Sequence, residues 1–217
     1  MLKSQKDVKE LKKEVKDLKK QLIDSERERH KFQRLAERDF LTDIYNRHGF
    51  IRETERFLNE MNAEKRFRGK RRLPMVDSVA IMFVDIDYLK TVNDTFGHKI
   101  GDKYIKAIAH ILTSGVRDID IVGRWGGDEF AIALINATGP EVHSIAQKMQ
   151  GKIAKIKLDR HIDFMCSASF GLISVTGAHH RRVVYDLHAL IERADRAMYE
   201  AKENRGKGVI VSFQETI

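Results

Sequence analysis

Residues 119–135 read IDIVGRWGGDEFAIALI. Two short β-prone runs, 119–125 and 130–135, flank Gly126-Gly127, and two acids, Asp128 and Glu129, follow the glycines at once. Such a pattern predicts a β-hairpin with a tight two-residue turn, because glycine accepts positive φ at little cost. Outward from the hairpin, 79–84 (VAIMFV) is an apolar run of buried-strand length that ends in Asp85-Ile86-Asp87. Residues 46–68, 98–116, 141–158 and 187–204 carry apolar positions at helical spacing, while 164–175 and 209–213 read as strands. The order α, β, α, β, β, α, β, α, β predicts an α/β (α+β) fold, a mixed central sheet flanked by helices.

The first 38 residues form a separate element. Val8, Leu11, Val15, Leu18 and Leu22 follow a 3-4-3-4 spacing, with β-branched or leucine a positions and leucine d positions. A narrow seam of this kind predicts a parallel two-stranded coiled coil. Asp7 and Glu14 at g face Lys12 and Lys19 at e of a partner. Ser25 and Arg29 weaken the seam before Phe32 and Ala36 restore it. The expected organisation is a dimerisation and signalling helix over 1–38 and a catalytic domain over 39–217.

Composition narrows the class. The 217 residues include one cysteine, Cys166, which excludes an internal disulfide and a cysteine-based zinc site. No apolar run reaches a membrane span of about 18 residues, and the start lacks the apolar core of a secretory leader, so a cytoplasmic protein is expected. The net charge of +8 sits in two places: residues 1–38 carry +5 and the stretch KRFRGKRR at 65–72 carries +6. The remaining body is slightly acidic and offers no element that would read a duplex, which disfavours nucleic-acid binding.

The acids carry the chemistry. Asp85 ends the first strand, beside the hairpin that bears Asp128 and Glu129, so Asp85 and Asp128 are placed to share a divalent cation. Carboxylates without nearby histidine or cysteine favour a hard ion such as Mg²⁺, with Mn²⁺ as a substitute. Magnesium on two carboxylates leaves positions for substrate phosphates, which points to phosphoryl or nucleotidyl transfer. A polar hairpin tip without function is the alternative on spacing alone.

GGDEF at 126–130 resembles the signature of the GGDEF-domain diguanylate cyclases. DFLTDIYNRHGF (39–50), VDIDYLKTVNDTFGHKIGD (84–102), SFG (169–171) and ADRAMYEAK (194–202) resemble that family's other motifs in order. The resemblance covers residues 39 to about 213. It implies a nucleotidyl cyclase, ferredoxin-like palm behind the coiled coil, and condensation of two GTP into cyclic di-GMP and two pyrophosphates across a homodimer with an upstream sensory input. It further implies that Asp85, the carbonyl of Ile86 and Asp128 hold Mg²⁺, and that Glu129 serves a second ion or the attacking hydroxyl. Lys90, Arg124 and Lys202 would neutralise phosphate. Gly126 and Gly127 would let backbone approach the nucleotide, Tyr88 and Leu89 would line the pocket, and Asn93 and Asp102 would read guanine.

Arg117 and Asp120 form R-x-x-D, separated from Gly126 by five residues, and resemble the family's inhibitory product site for cyclic di-GMP; a surface ion pair is the plain alternative. Two departures stand out. Leu89 replaces the family's usual Phe, and Gly206 stands where a phosphate-binding Arg or Lys is usual, with Arg205 or Lys207 as substitutes. Both predict weakened triphosphate binding and leave a second reading, a GTP or cyclic di-GMP receptor. The stretch 177–184, with His179 and His180, reads as a long solvated loop.

Overall fold

The computed structural model describes residues 2–63, 76–176 and 185–213. The basic stretch 65–72 and the loop 177–184 lie outside the described residues. The chain divides into two compact units, 1–38 and 39–217. The first is one helix, α1 (Leu2–Glu37). Val15, Leu18, Leu22 and Phe32 are all exposed on it, so its apolar stripe has no partner within its own unit. The Val8 and Leu11 side chains lie outside the described residues.

The second unit runs β1 (Tyr45–Asn46), α2 (Arg47–Ala63), β2 (Ser78–Ile86), α3 (Leu89–Phe96), α4 (His98–Ser114), β3 (Ile121–Arg124), β4 (Glu129–Ile135), α5 (Gly139–Ile153), β5 (Ala168–Thr176), α6 (Leu187–Arg205) and β6 (Ile210–Ser212). The strands make one mixed sheet in the order β1-β3-β4-β2-β5-β6. The outer pairs β1–β3 and β5–β6 are parallel, and the pairs between them are antiparallel. The expected mixed sheet with flanking helices is therefore present. Two elements were not foreseen. β1 is too short to carry a period, and α3 ends at Gly97, only one residue before α4 begins.

The period of two along β2 sorts the core. Ala80, Met82, Val84 and Ile86 pack with residues of α3, α4 and α5. Val79, Ile81 and Phe83 pack with residues of α2 and α6. The second row continues in sequence to Asp85 and Asp87, so both acids fall on the side of the sheet that α6 covers. The neighbouring strand obeys the same rule. Ala131, Ala133 and Ile135 lie on the α6 side, and Glu129 heads that row directly opposite Asp85.

Local signals start the helices where the site needs them. Glu141 accepts hydrogen bonds from the Thr138 N–H and hydroxyl ahead of α5, and Asp186 accepts from the Ala189 N–H at the start of α6. α6 then crosses β5 at Gly171. A β-carbon added there would lie 1.9 Å from the Ala194 carbonyl oxygen, so only glycine allows the helix this close.

Gly171→Ala is therefore expected to push α6 off the sheet and to cost about 1–3 kcal/mol. Gly151→Ala, in a helix position with open space around it, should instead stabilise by up to about 1 kcal/mol. Denaturant unfolding of both variants checks the pair. Equal effects would show that the α6 approach is not the cause.

Candidate active site

The hairpin is built differently from the expected tight turn. Neither Gly126 nor Gly127 has positive φ. The strands pair at Arg124 and Phe130, and four residues, 125–128, connect β3 to β4, closed by Trp125 N–H to the Glu129 carbonyl at 2.8 Å. Here Gly126 supplies space in place of a special backbone angle: a β-carbon on it would come within 2.6 Å of Glu129 Oε2. Gly127 faces open space.

Arg124 holds this connection. Its Nε donates to the Gly126 carbonyl at 3.1 Å and its Nη2 to the Gly127 carbonyl at 2.8 Å, while Nη1 donates to both oxygens of Asp39 at 3.2 Å. Two of its nitrogens thus clamp the turn and the third pairs with Asp39, and the residue also lines the cavity beside the two glycines. Asp39 also accepts from the Thr42 N–H and hydroxyl. Burial alone would push the Asp39 carboxyl up; the Thr42 hydrogen bonds and the Arg124 charge outweigh it and hold the group below the usual aspartate range.

Asp85, Asp87, Asp128 and Glu129 gather at the ends of β2 and β4, joined by the Ile86 N–H to the Asp128 carbonyl at 2.9 Å. Lys202 reaches them from α6, with Nζ 2.6 Å from Asp85 Oδ1 and 3.4 Å from Asp87 Oδ1. Burial raises the Asp85 pKa, and the nearby Asp128 and Asp87 charges add to this against the pull of Lys202. Burial also raises Glu129, together with Asp195, Asp128 and Asp85, and only Arg47 opposes them. Burial would lower Lys202, but its contacts with Asp85 and Asp87 hold it above the usual lysine value.

Asp87 is fully buried. It accepts from Ser167 Oγ at 2.8 Å, Ser169 Oγ at 3.0 Å and the Gly208 N–H at 2.8 Å. Asp87, Asp195, Arg47 and Asp39 are the members of this site that sequence reading passed over. The signal for Asp87 was the two-residue period after Asp85; for Asp195 it was a position seven residues, two helical turns, before Lys202.

The excess of carboxylate over cation is what a divalent ion would neutralise, and the oxygen-only donor set suits a hard one. Among the described residues no three acids, histidines or cysteines converge as a ready-made cage. Two carboxylates and a carbonyl would hold such an ion only in part and leave it open to other oxygens.

The remaining expected residues fall in two places. Asn93 on α3 sits against Gly101, where a β-carbon would lie 1.8 Å from the amide oxygen. The adjacent Asp102 lines a cavity of about 480 Å³ shared with Gly126, Gly127, Arg124, Arg47 and His48. Tyr88 precedes α3 with φ 62°, a left-handed conformation rare for a bulky residue. Leu89 is buried, and Lys90 stands exposed in the first turn of α3. Arg117 and Asp120 lie apart from this group, before β3. The Asp120 side chain is buried and takes hydrogen bonds from the Arg117 N–H, the Arg117 guanidinium and the Ile135 N–H, while the Arg117 side chain is 58% exposed.

The diguanylate cyclase GGDEF domain family matches residues 36–208. The chain belongs to this family. This GGDEF chain is 30% identical over 181 residues to the probable diguanylate cyclase DgcT of Escherichia coli (strain K12), which covers 82% of the chain and 36% of DgcT. It spans less than half the length of the curated relatives it matches. The solved coiled coil and GGDEF domain of DgcB from Caulobacter crescentus, in complex with c-di-GMP, shares the fold. Its TM-score is 0.76 at 22% identity, over 94% of this chain and 99% of that one. The GGDEF domain of TpbB (YfiN) from Pseudomonas aeruginosa aligns with a TM-score of 0.67 at 29% identity, over 82% of this chain and 94% of that one.

Asp39→Asn removes the charge that holds Arg124 and keeps the shape. A depressed carboxyl stabilises the fold above its unfolded pKa, and that contribution is lost as pH falls through the folded value. The wild type is thus expected to exceed Asp39→Asn by about 1–2 kcal/mol at pH 7, with the gap closing below about pH 4. Urea unfolding at several pH values checks it. A gap that does not change with pH would show that the Asp39 charge is not its source.

Proposed function

We propose that this chain is a diguanylate cyclase that condenses two GTP into cyclic di-GMP and two pyrophosphates. The observation that carries the reading is the half-buried acid group at the ends of β2 and β4, faced by Lys202 and set beside the cavity lined by Asp102 and the glycine turn. Bound Mg²⁺ or Mn²⁺ would be held by Asp85, the Ile86 carbonyl and Asp128, and would neutralise charge on the triphosphate.

The chain's own residues would do the rest. Lys202 stands at Asp85 and offers a second positive charge to the phosphate oxygens, where charge grows in the transition state. Lys90, exposed on α3, supplies another cation. Asn93 and Asp102 read guanine, since a carboxylate accepts from guanine N1–H and its exocyclic amine, a donor pair that adenine lacks. Glu129 lies on the same face of the sheet as Asp85, placed for a second ion or for the proton of the 3′-hydroxyl. In each half-reaction that hydroxyl oxygen bonds to the α-phosphorus of the other GTP as pyrophosphate leaves.

One chain carries one set of these residues, so the reaction needs two chains face to face. The exposed seam of α1 supports a parallel dimer that raises the effective concentration of one half-site for the other. The stem is also the route by which an upstream sensor would act. No described helix is long and apolar enough to cross a membrane.

The purified chain with GTP and Mg²⁺ is expected to form cyclic di-GMP, identified by chromatography and mass, and no mixed dinucleotide when ATP is added. Asp128→Asn should lower the rate at least about a hundredfold. A wild type that forms no dinucleotide would overturn the reading. The exposed Arg117 guanidinium, braced by Asp120, is proposed to fork onto accumulated product. Arg117→Ala should keep the initial rate and lose the slowing as cyclic di-GMP builds up; progress curves with added product decide, and unchanged inhibition would remove the site.

A further inference from the structure

β1 has only two residues, and its register gives it a purpose. Tyr45 pairs with Gly123 and Asn46 with Arg124 in parallel, so the residues that follow on the two strands, Arg47 and Trp125, come side by side. Arg47 is also the first residue of α2. A cation is unfavourable there, because the first turn is the positive end of a helix dipole, and no acid stands in that turn to offset it. Local rules thus argue against arginine at this position, which is where a functional use is expected.

The Arg47 guanidinium lies over the indole of Trp125, 4.3 Å from the ring centroid. The indole is held in place. Phe50 meets it edge-on at 6.2 Å and Phe83 at 6.0 Å, and the Trp125 N–H closes the turn on the Glu129 carbonyl. Glu129 leans back over the same turn, since its Oε2 would lie 2.6 Å from a β-carbon on Gly126. Ring, turn and carboxylate therefore follow one another in space, and Arg47 stands at the end of the series. Its charge opposes those of Asp195, Asp128 and Asp85 around Glu129. The other cations are committed: Lys202 to Asp85 and Asp87, and Arg124 to Asp39 and the turn carbonyls.

We infer that Arg47 is a positioning residue of the reaction: stacked on Trp125, its charge holds the Glu129 carboxylate in the orientation that turnover needs, without itself binding the nucleotide. This rests on the cyclase reading above. The segment 39–47 then grips the hairpin twice, Asp39 through Arg124 and Arg47 through Trp125.

Arg47 also lines the cavity that holds Asp102, so the experiment separates positioning from binding. Wild type, Arg47→Gln, Arg47→Leu and Arg47→Lys are compared as full chains, by GTP dissociation constant and by steady-state rate with Mg²⁺. Misplacing a reacting group by about 1 Å costs about a hundredfold. Arg47→Gln and Arg47→Leu are expected to lower kcat about ten- to hundredfold, with the GTP dissociation constant changed less than about threefold. Arg47→Lys keeps a cation over the ring and should retain most of the rate. Trp125 is the one tryptophan of the chain, so its fluorescence reads the stack directly: emission should change in Arg47→Leu and stay near wild type in Arg47→Lys. GTP binding that weakens as much as kcat falls would make Arg47 a binding residue. Equal losses in Arg47→Lys and Arg47→Gln would leave packing on Trp125 as its use. Either result, or an unchanged rate in Arg47→Gln and Arg47→Leu, overturns the inference and leaves the cyclase reading standing. A wild type that turns over no GTP overturns both, and that result appears in the wild-type measurement alone.

Discussion

A carboxylate taken out of water must be met by donors, and Asp87 is met from three directions. Ser167 and Ser169 reach it from the chain leading into and along β5, Gly208 from the bend after α6, and Lys202 from α6 itself. Each donor belongs to a segment far away in sequence, so the need of one buried group ties the end of β2 to the last part of the fold. Asp85 lies two residues earlier on the same side of the strand. Satisfying Asp87 therefore also delivers Lys202 to Asp85 and brings the 206–208 bend beside both.

The sheet sets how close these partners come. α6 can lie on β5 only because Gly171 has no side chain, and the approach places Asp195 and Lys202, two turns apart, along the acid row. The hairpin is held from the other side. Arg124 joins Asp39 to two carbonyls of the wide turn and so sets where Asp128 and Glu129 emerge. A cluster of like charges is costly in free energy unless something neutralises it. Lys202 and Arg47 do so in part, and the remainder is an invitation to a divalent cation and its phosphate ligands.

Much of this was legible along the chain. Strand β2 showed as an apolar run, and the helices that cover it showed as apolar positions at helical spacing. The acids of the site stood in two short motifs. The turn was misread because paired glycines suggest positive φ, whereas here Gly126 makes room for the Glu129 side chain. The pairing of Arg124 with Asp39 was not legible, because the two are 85 residues apart. β1 and α3 were missed because two residues have no period and eight residues beside a second helix look like part of it.

Residue type and spacing by themselves determined the mixed sheet, the separate helical stem, and that Asp85, Asp128 and Glu129 meet at one end of the sheet. They could do so because side-chain period and chemistry are local properties. Tertiary structure alone decided which cations serve those acids. Arg124 is turned to the hairpin, Lys202 to Asp85, and Arg47 to the Trp125 ring. A side chain's partner depends on where distant segments are packed, and the place of Arg47 depends on the pairing of a two-residue strand with β3, which no pattern of residue types along the chain records.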